Sequence, residues 1–222
     1  MKQWLRGGKL NYHTILWDFD GTLVDTSPGI MACICYACAQ LKQPEPEKAV
    51  LRKFIGPPLY DSFQAYLGYS PPLAEEATRI YRKYYEKDGL YQSNIYPGMK
   101  DLLKDLCSQG AHHAVTTLKP ENTARQLLNH FDIAQYFTLC EGADPSKMKS
   151  RTKTQIAADA LNRLGVKDKS HTILIGDTVF DEQGAKENGI GFVAAAYGFG
   201  FSTPPECLFY AESVEALRNF LL

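Results

Sequence analysis

The chain has 222 residues, enough for one well-buried core and a modest second lobe but too few for two large domains. Its 24 Lys and Arg stand against 25 Asp and Glu, a balance that leaves no electrostatic footprint for a nucleic-acid polymer or an anionic membrane surface. No apolar stretch approaches the length needed to cross a bilayer, and residues 1–11 carry some positive charge with no apolar block behind it, so they read as a flexible extension rather than a secretory signal.

Residues 13–17 form a short apolar run, expected to be a buried strand, that stops at Asp18-Phe19-Asp20-Gly21-Thr22, where the glycine breaks it. From 27 to 96 the pattern is helical. Helices are predicted over 30–41, 49–54, 60–67 and 73–86, punctuated by Pro44, Pro46, Gly56-Pro57-Pro58, Pro71-Pro72 and Pro97-Gly98. The first of them carries Cys33, Cys35 and Cys38. With Cys107, Cys140 and Cys207 these are irregularly spaced, fit neither a disulfide framework nor a zinc site, and point to reduced thiols in a cytoplasmic setting. Tyr81, Tyr84, Tyr85 and Tyr91 fit either packing within the helical segment or stacking on a nucleobase.

After Pro97-Gly98 helices and strands alternate: helix 99–108, strand 111–117, helix 121–130, strand 136–140, helix 153–164, strand 171–175, helix 181–188, strand 191–195 and helix 214–222. Such alternation predicts an α/β fold, a doubly wound parallel sheet covered on both faces, with ligands at the carboxyl ends of its strands. Residues 1–26 and 97–222 would form this core, and 27–96 a small all-helical domain inserted into it. His112 and His113, adjacent on a strand, face opposite sides and read as structural.

Two acidic pairs follow apolar strands. Asp18 and Asp20 are one residue apart, which lets both project from a strand end; Asp177 and Asp181 are four apart, with Gly176 allowing the turn before the first. Alone, either pair also fits a helix cap or a turn. Four acids at two strand ends repel one another unless a cation gathers them, and an all-oxygen set favours Mg2+.

These residues resemble the haloacid dehalogenase superfamily of hydrolases, in its phosphatase branch with a helical cap and phosphoglycolate-phosphatase-like members. The resemblance is carried by Asp18-Phe19-Asp20-Gly21-Thr22-Leu23-Val24-Asp25, then Val115-Thr116-Thr117-Leu118-Lys119-Pro120, then Lys153, then Gly176-Asp177 through Asp181, in that order. It implies Asp18 as nucleophile, forming a phosphoryl-aspartate, and Asp20 as general acid and base. It further implies Thr117, the Leu118 backbone N–H and Lys153 around the phosphoryl group. The Mg2+ site would draw on Asp18, the backbone carbonyl of Asp20, Asp177 and, as an outer orienter, Asp181. Ile55-Gly56-Pro57-Pro58 resembles a substrate loop on a cap that closes over the site. Leu118 stands where that branch more often has a small or polar residue, and 141–150 lacks the Asp-Gly turn usual before the lysine. Arg52 and Lys53 read as a solvated helix face. The implied activity is Mg2+-dependent hydrolysis of a small phosphate monoester, phosphoglycolate or a nucleotide, by a monomer or homodimer. Pyrophosphatase and phosphosugar mutase are alternatives on the same chemistry, and a non-catalytic phosphate-binding regulatory module is one from another class.

Overall fold

The computed structural model describes residues 10–144, 146 and 151–222. Residues 1–9, and with them most of the expected extension, lie outside the described residues, as do Pro145 and 147–150 of the stretch before Lys153. A six-stranded sheet is ordered β5-β4-β1-β6-β7-β8, every neighbouring pair parallel. Its strands are β1 (Thr14–Trp17), β4 (His112–Pro120), β5 (Leu139–Ala143), β6 (Thr172–Gly176), β7 (Gly191–Ala195) and β8 (Phe209–Ala211). A second, two-stranded antiparallel ribbon pairs β2 (Val24–Asp25) with β3 (Asn94–Ile95). The chain runs from β1 outward to β4 and β5 on one side, then crosses to β6, β7 and β8 on the other, so β1 lies at the switch in strand order.

Alternation along the strands sorts the core into two layers. Ile15, Trp17, Val115, Ile173 and Ile175 face one layer with α5 (Met99–Ser108), α6 (Glu121–His130) and α9 (Val214–Leu221). Leu16, Ala114 and Leu174 face the other, with α7 (Lys153–Arg163) and α8 (Val179–Asn188). Between the ribbon strands run α1 (Ser27–Gln40), α2 (Lys48–Arg52), α3 (Leu59–Leu67) and α4 (Pro71–Tyr84), the last ending in a π-turn, Tyr85–Gly89, closed by Leu90 N–H donating to the Tyr85 carbonyl at 2.8 Å. Buried residues of these helices, such as Ile34, Phe63, Ala77 and Tyr81, are continuous with the first layer. Among the described residues no helix is long and apolar enough to cross a membrane. All six cysteines are free thiols.

Several boundaries differ from expectation for identifiable reasons. β4 runs to Pro120 rather than stopping at 117, because Pro120 pairs with Ala143 after a register shift beyond Thr116. β5 occupies Leu139–Ala143 rather than 136–140, behind a 3-10 turn at Ala134–Tyr136. Glu141 can sit inside it, 3% exposed, because Arg151 and Arg163 pair with its carboxylate. Helix α8 starts at Val179 because the N–H and hydroxyl of Thr178 both donate to Asp181 Oδ2, at 3.0 and 2.6 Å. The ribbon and β8 have no counterpart among the sequence-based expectations.

Of the two histidines, His112 is exposed and His113 buried, where its Nδ1 accepts from Trp17 Nε1 at 2.8 Å. Burial, with a smaller contribution from His112, pushes the His113 imidazole down to about 4. A depressed folded-state pKa means stability fully present above about pH 6.5 and lost as pH falls toward 4, here roughly 3 kcal/mol. His113→Gln keeps an acceptor for Trp17 without the charge. The stability difference between the two proteins, measured by urea denaturation, should shift toward the variant by that amount between pH 7 and 4; a flat difference would refute the assignment.

Candidate active site

Three strand ends at the switch point deliver the site. β1 ends at Trp17 and presents Asp18, β4 carries Thr117, and β6 ends at Gly176 and presents Asp177. Helix α7 starts at Lys153, reaching in from the side. The backbone is drawn tight here. A Cβ on Gly21, at φ +79°, would lie 2.2 Å from Asp177 Oδ2, and one on Gly176 would lie 2.2 Å from Asp181 Cγ.

Lys153 Nζ is the hub. It donates to Asp18 Oδ1 at 2.5 Å and to the Thr116 carbonyl at 2.7 Å, and lies 2.6 Å from Asp181 Oδ1. Burial works against its ammonium, but Asp18 and then Asp181 outweigh it and hold its pKa above the ordinary lysine value. The acids are in excess. Burial, with Asp181 adding to it and Lys153 only partly opposing, pushes the Asp18 carboxyl up to about 7. Burial, followed by the charges of Asp18 and Asp181, holds Asp177 well above the usual carboxylate range.

Oxygens of Asp18, Asp177 and Asp181 all lie within 4.8 Å of one another. Asp177 Oδ2 accepts the Phe199 N–H at 2.8 Å, whereas its Oδ1 is buried without a hydrogen-bond partner. A buried orphan oxygen inside a surplus of carboxylates is what a hard divalent cation satisfies, so these donors fit Mg2+.

Asp20 is not one of these three grouped acids, though it lies close enough for its charge to add to the upward push on the Asp18 carboxyl. Its Oδ1 accepts from Thr26 Oγ1 at 2.5 Å and from Lys119 Nζ at 2.9 Å. Its side chain is therefore spoken for elsewhere and is not among the grouped acids. Lys119, 7% exposed, also donates to the Tyr85 hydroxyl at 2.8 Å. Thr117 is buried, and its Oγ1 accepts the Lys119 N–H at 3.1 Å, which leaves the hydroxyl proton to donate elsewhere. Leu118 is half-buried and turns its side chain into a cleft.

That cleft, of about 910 Å3 with its open mouth included, lies between the sheet and the helical segment. Asp20, Leu118 and Lys119 line it from below, and Phe54, Gly56, Pro57, Pro58, Tyr81 and Tyr85 from above. The Ile55–Pro58 loop also touches the loop after β6, since a Cβ on Gly56 would come 3.1 Å from Thr178 Cγ2. Ile55 itself is buried and faces a second groove with Arg52, Lys53 and Val179. The tyrosines divide: Tyr81 and Tyr85 stack on each other in the cleft wall, Tyr84 stacks on Tyr36, and exposed Tyr91 lies against His130. Thr26, just past the first motif, Lys119, inside the second, and Tyr85 of the helical segment form a hydrogen-bonded set at Asp20 to which the sequence alone assigns no role.

The family model of haloacid dehalogenase-like hydrolases matches residues 15–195. A 5'-nucleotidase of Pseudomonas aeruginosa is 34% identical over 220 residues, 98% of this chain and 99% of that protein. The tyrosine-protein kinase PtkA of Mycobacterium tuberculosis is 32% identical, over 93% of this chain and 72% of its own length. A phosphoglycolate phosphatase of Pseudomonas syringae pv. syringae is 28% identical, over 86% of this chain and 71% of its own. The crystal structure of a putative phosphatase from Clostridium difficile superposes with a TM-score of 0.86 at 34% identity, covering 96% of this chain and 99% of that one.

Proposed function

The chain belongs to the haloacid dehalogenase-like hydrolases, and we propose that it is a Mg2+-dependent phosphatase that hydrolyses small phosphate monoesters through a phosphoryl group carried on Asp18. The observation that carries this reading is the net negative, buried group of Asp18, Asp177 and Asp181 around one ammonium, with the orphan Asp177 Oδ1 beside it.

Asp18, Asp177 and Asp181 would hold the ion, whose charge screens the acids and polarises the phosphoryl group when bound. Lys153 orients Asp18 and offsets the charge shared by carboxylate and phosphate, while Thr117 donates its free hydroxyl proton to a phosphoryl oxygen. Asp20, at the floor of the cleft, gives a proton to the departing alcohol and takes one from the water that releases phosphate. Residues 27–96 act as a cap, with the Ile55–Pro58 loop excluding water from the cleft.

For the leaving group we favour a nucleoside over glycolate. The charged cleft residues cancel, Lys119 and Arg82 against Asp20 and Glu86, so no surplus of positive charge awaits a second carboxylate. The walls are otherwise mainly aromatic, proline and aliphatic, surfaces against which a ring system packs and which offer little to a two-carbon acid. The test is phosphate release from nucleoside 5'-monophosphates, 2-phosphoglycolate, pyrophosphate and a hexose phosphate, with Mg2+ and with chelator. Release from nucleotides that is highest in the panel and vanishes with chelator is expected. Ligand binding with no phosphate released from any of them would leave a regulatory module instead.

A further inference from the structure

Asp20, the acid of this proposed reaction, is gripped at Oδ1 by groups from separate parts of the chain. Thr26, at the entrance to α1, and Lys119, far along on β4, both donate to Oδ1. Lys119 in turn reaches across the cleft: its Nζ donates to the Tyr85 hydroxyl and lies 4.8 Å from the centre of that ring. Tyr85 opens the π-turn that ends α4, so it belongs to the helical segment and not to the sheet. Burial opposes the Lys119 ammonium, but Asp20 and Tyr85 together keep it charged.

We propose that Thr26 and Lys119 are positioning residues for Asp20, and that the Tyr85 hydroxyl couples this positioning to the seating of the helical segment on the core. The proposal rests on the reading of Asp20 as the acid given above. With Oδ1 held by two donors, Oδ2 is the oxygen left to face the leaving group. In the first step a bond forms from Asp18 to phosphorus, the bond from phosphorus to the ester oxygen breaks, and the Oδ2 proton passes to that oxygen. The alcohol then leaves neutral, and the new charge on Asp20 meets an ammonium and a hydroxyl already in place. With the helical segment lifted away, Lys119 loses its phenol and its ring face, and a flexible four-carbon stem no longer holds the ammonium to one position. Asp20 is then fully oriented only when the cleft is covered, which ties proton delivery to exclusion of water.

A simpler role exists for Lys119, as mere neutralisation of a buried acid, and leaving-group dependence separates the two. A nucleoside 5'-monophosphate expels an alkoxide that needs the proton, whereas p-nitrophenyl phosphate expels a stable phenolate that does not. Tyr85→Phe removes one oxygen and keeps the ring stacked on Tyr81. In the full-length protein with Mg2+, its kcat loss on the nucleotide should exceed that on p-nitrophenyl phosphate by about tenfold, part of the 100- to 10,000-fold a placed acid supplies. Lys119→Met should widen the gap to about 100-fold, and thermal unfolding checks that both variants are folded. Equal losses on both substrates, or none on either, would overturn the proposal while leaving the phosphatase reading intact. If the unmodified protein releases phosphate from neither substrate, the acid assignment falls, and this proposal with it.

Discussion

Asp18→Asn is expected to cut phosphate release by at least about ten-thousandfold, because the amide cannot form the acyl phosphate on which the reaction depends. The same change should leave the metal-free fold no weaker at pH 8, and stronger than the unmodified protein. Asp18 shares a buried space with two other acids and a single ammonium, and its carboxyl is pushed up to about 7, burial being the first cause. A raised folded-state pKa means that the stabilising contribution is complete below the unfolded value near 3.8 and disappears as pH rises through 7. Asn mimics the protonated form at every pH, so its advantage in metal-free unfolding experiments should grow from pH 4 to pH 8. Loss of function accompanied by gain of stability marks a residue kept for chemistry at a cost to the fold. Rapid acid quenching with labelled substrate should find phosphate bound to the unmodified protein and none on the variant. Turnover within tenfold of the original in Asp18→Asn would end the covalent reading.

The parts of this site visible in the sequence are those that punctuate an apolar run. Asp18 and Asp177 each follow a strand that is apolar after its opening threonine, and the βα alternation alone brings such strand ends together at the β1 switch point. Lys153 is visible as the opening residue of an amphipathic helix. Lys119 is hidden because Lys-Pro reads as the end of a strand, and only the pairing of Pro120 with Ala143 keeps the backbone extended through it. Had the strand been continued, the period of two would have put Lys119 on the same side as Thr117. Tyr85 is visible only as an aromatic four positions from Tyr81, on which it stacks, whereas the bond from Lys119, 34 positions further on, to its hydroxyl is set by the fold. Glu141 gives no local sign of burial, and its two arginines, 10 and 22 positions further on, are brought to it only by the fold. In each case the missing information is long-range pairing, which local pattern does not contain.

The second large effect belongs to Lys153→Met, and it should fall on stability as well as rate. The ammonium is 3% exposed and is the cation between Asp18 and Asp181, so removing it strands buried carboxylates at a cost of about 3–5 kcal/mol. Methionine preserves the apolar stem, whose Cγ packs near Gly184, so that loss is electrostatic rather than a cavity. A protonated acid has no need of the ammonium, and Asp18 and Asp177 hold their protons to unusually high pH. The deficit against the unmodified protein should therefore be small near pH 5, deepen toward pH 8, and shrink again on adding Mg2+, which brings opposing charge to the same oxygens. Phosphate release at saturating Mg2+ should still drop about 100- to 1,000-fold, since the ion does not replace the donor that orients Asp18. Urea denaturation at both pH values, with chelator and then with Mg2+, reads all of this. A deficit independent of pH and indifferent to Mg2+ would show that Lys153 serves packing alone, and the acids around it would then have no cationic centre to explain their convergence.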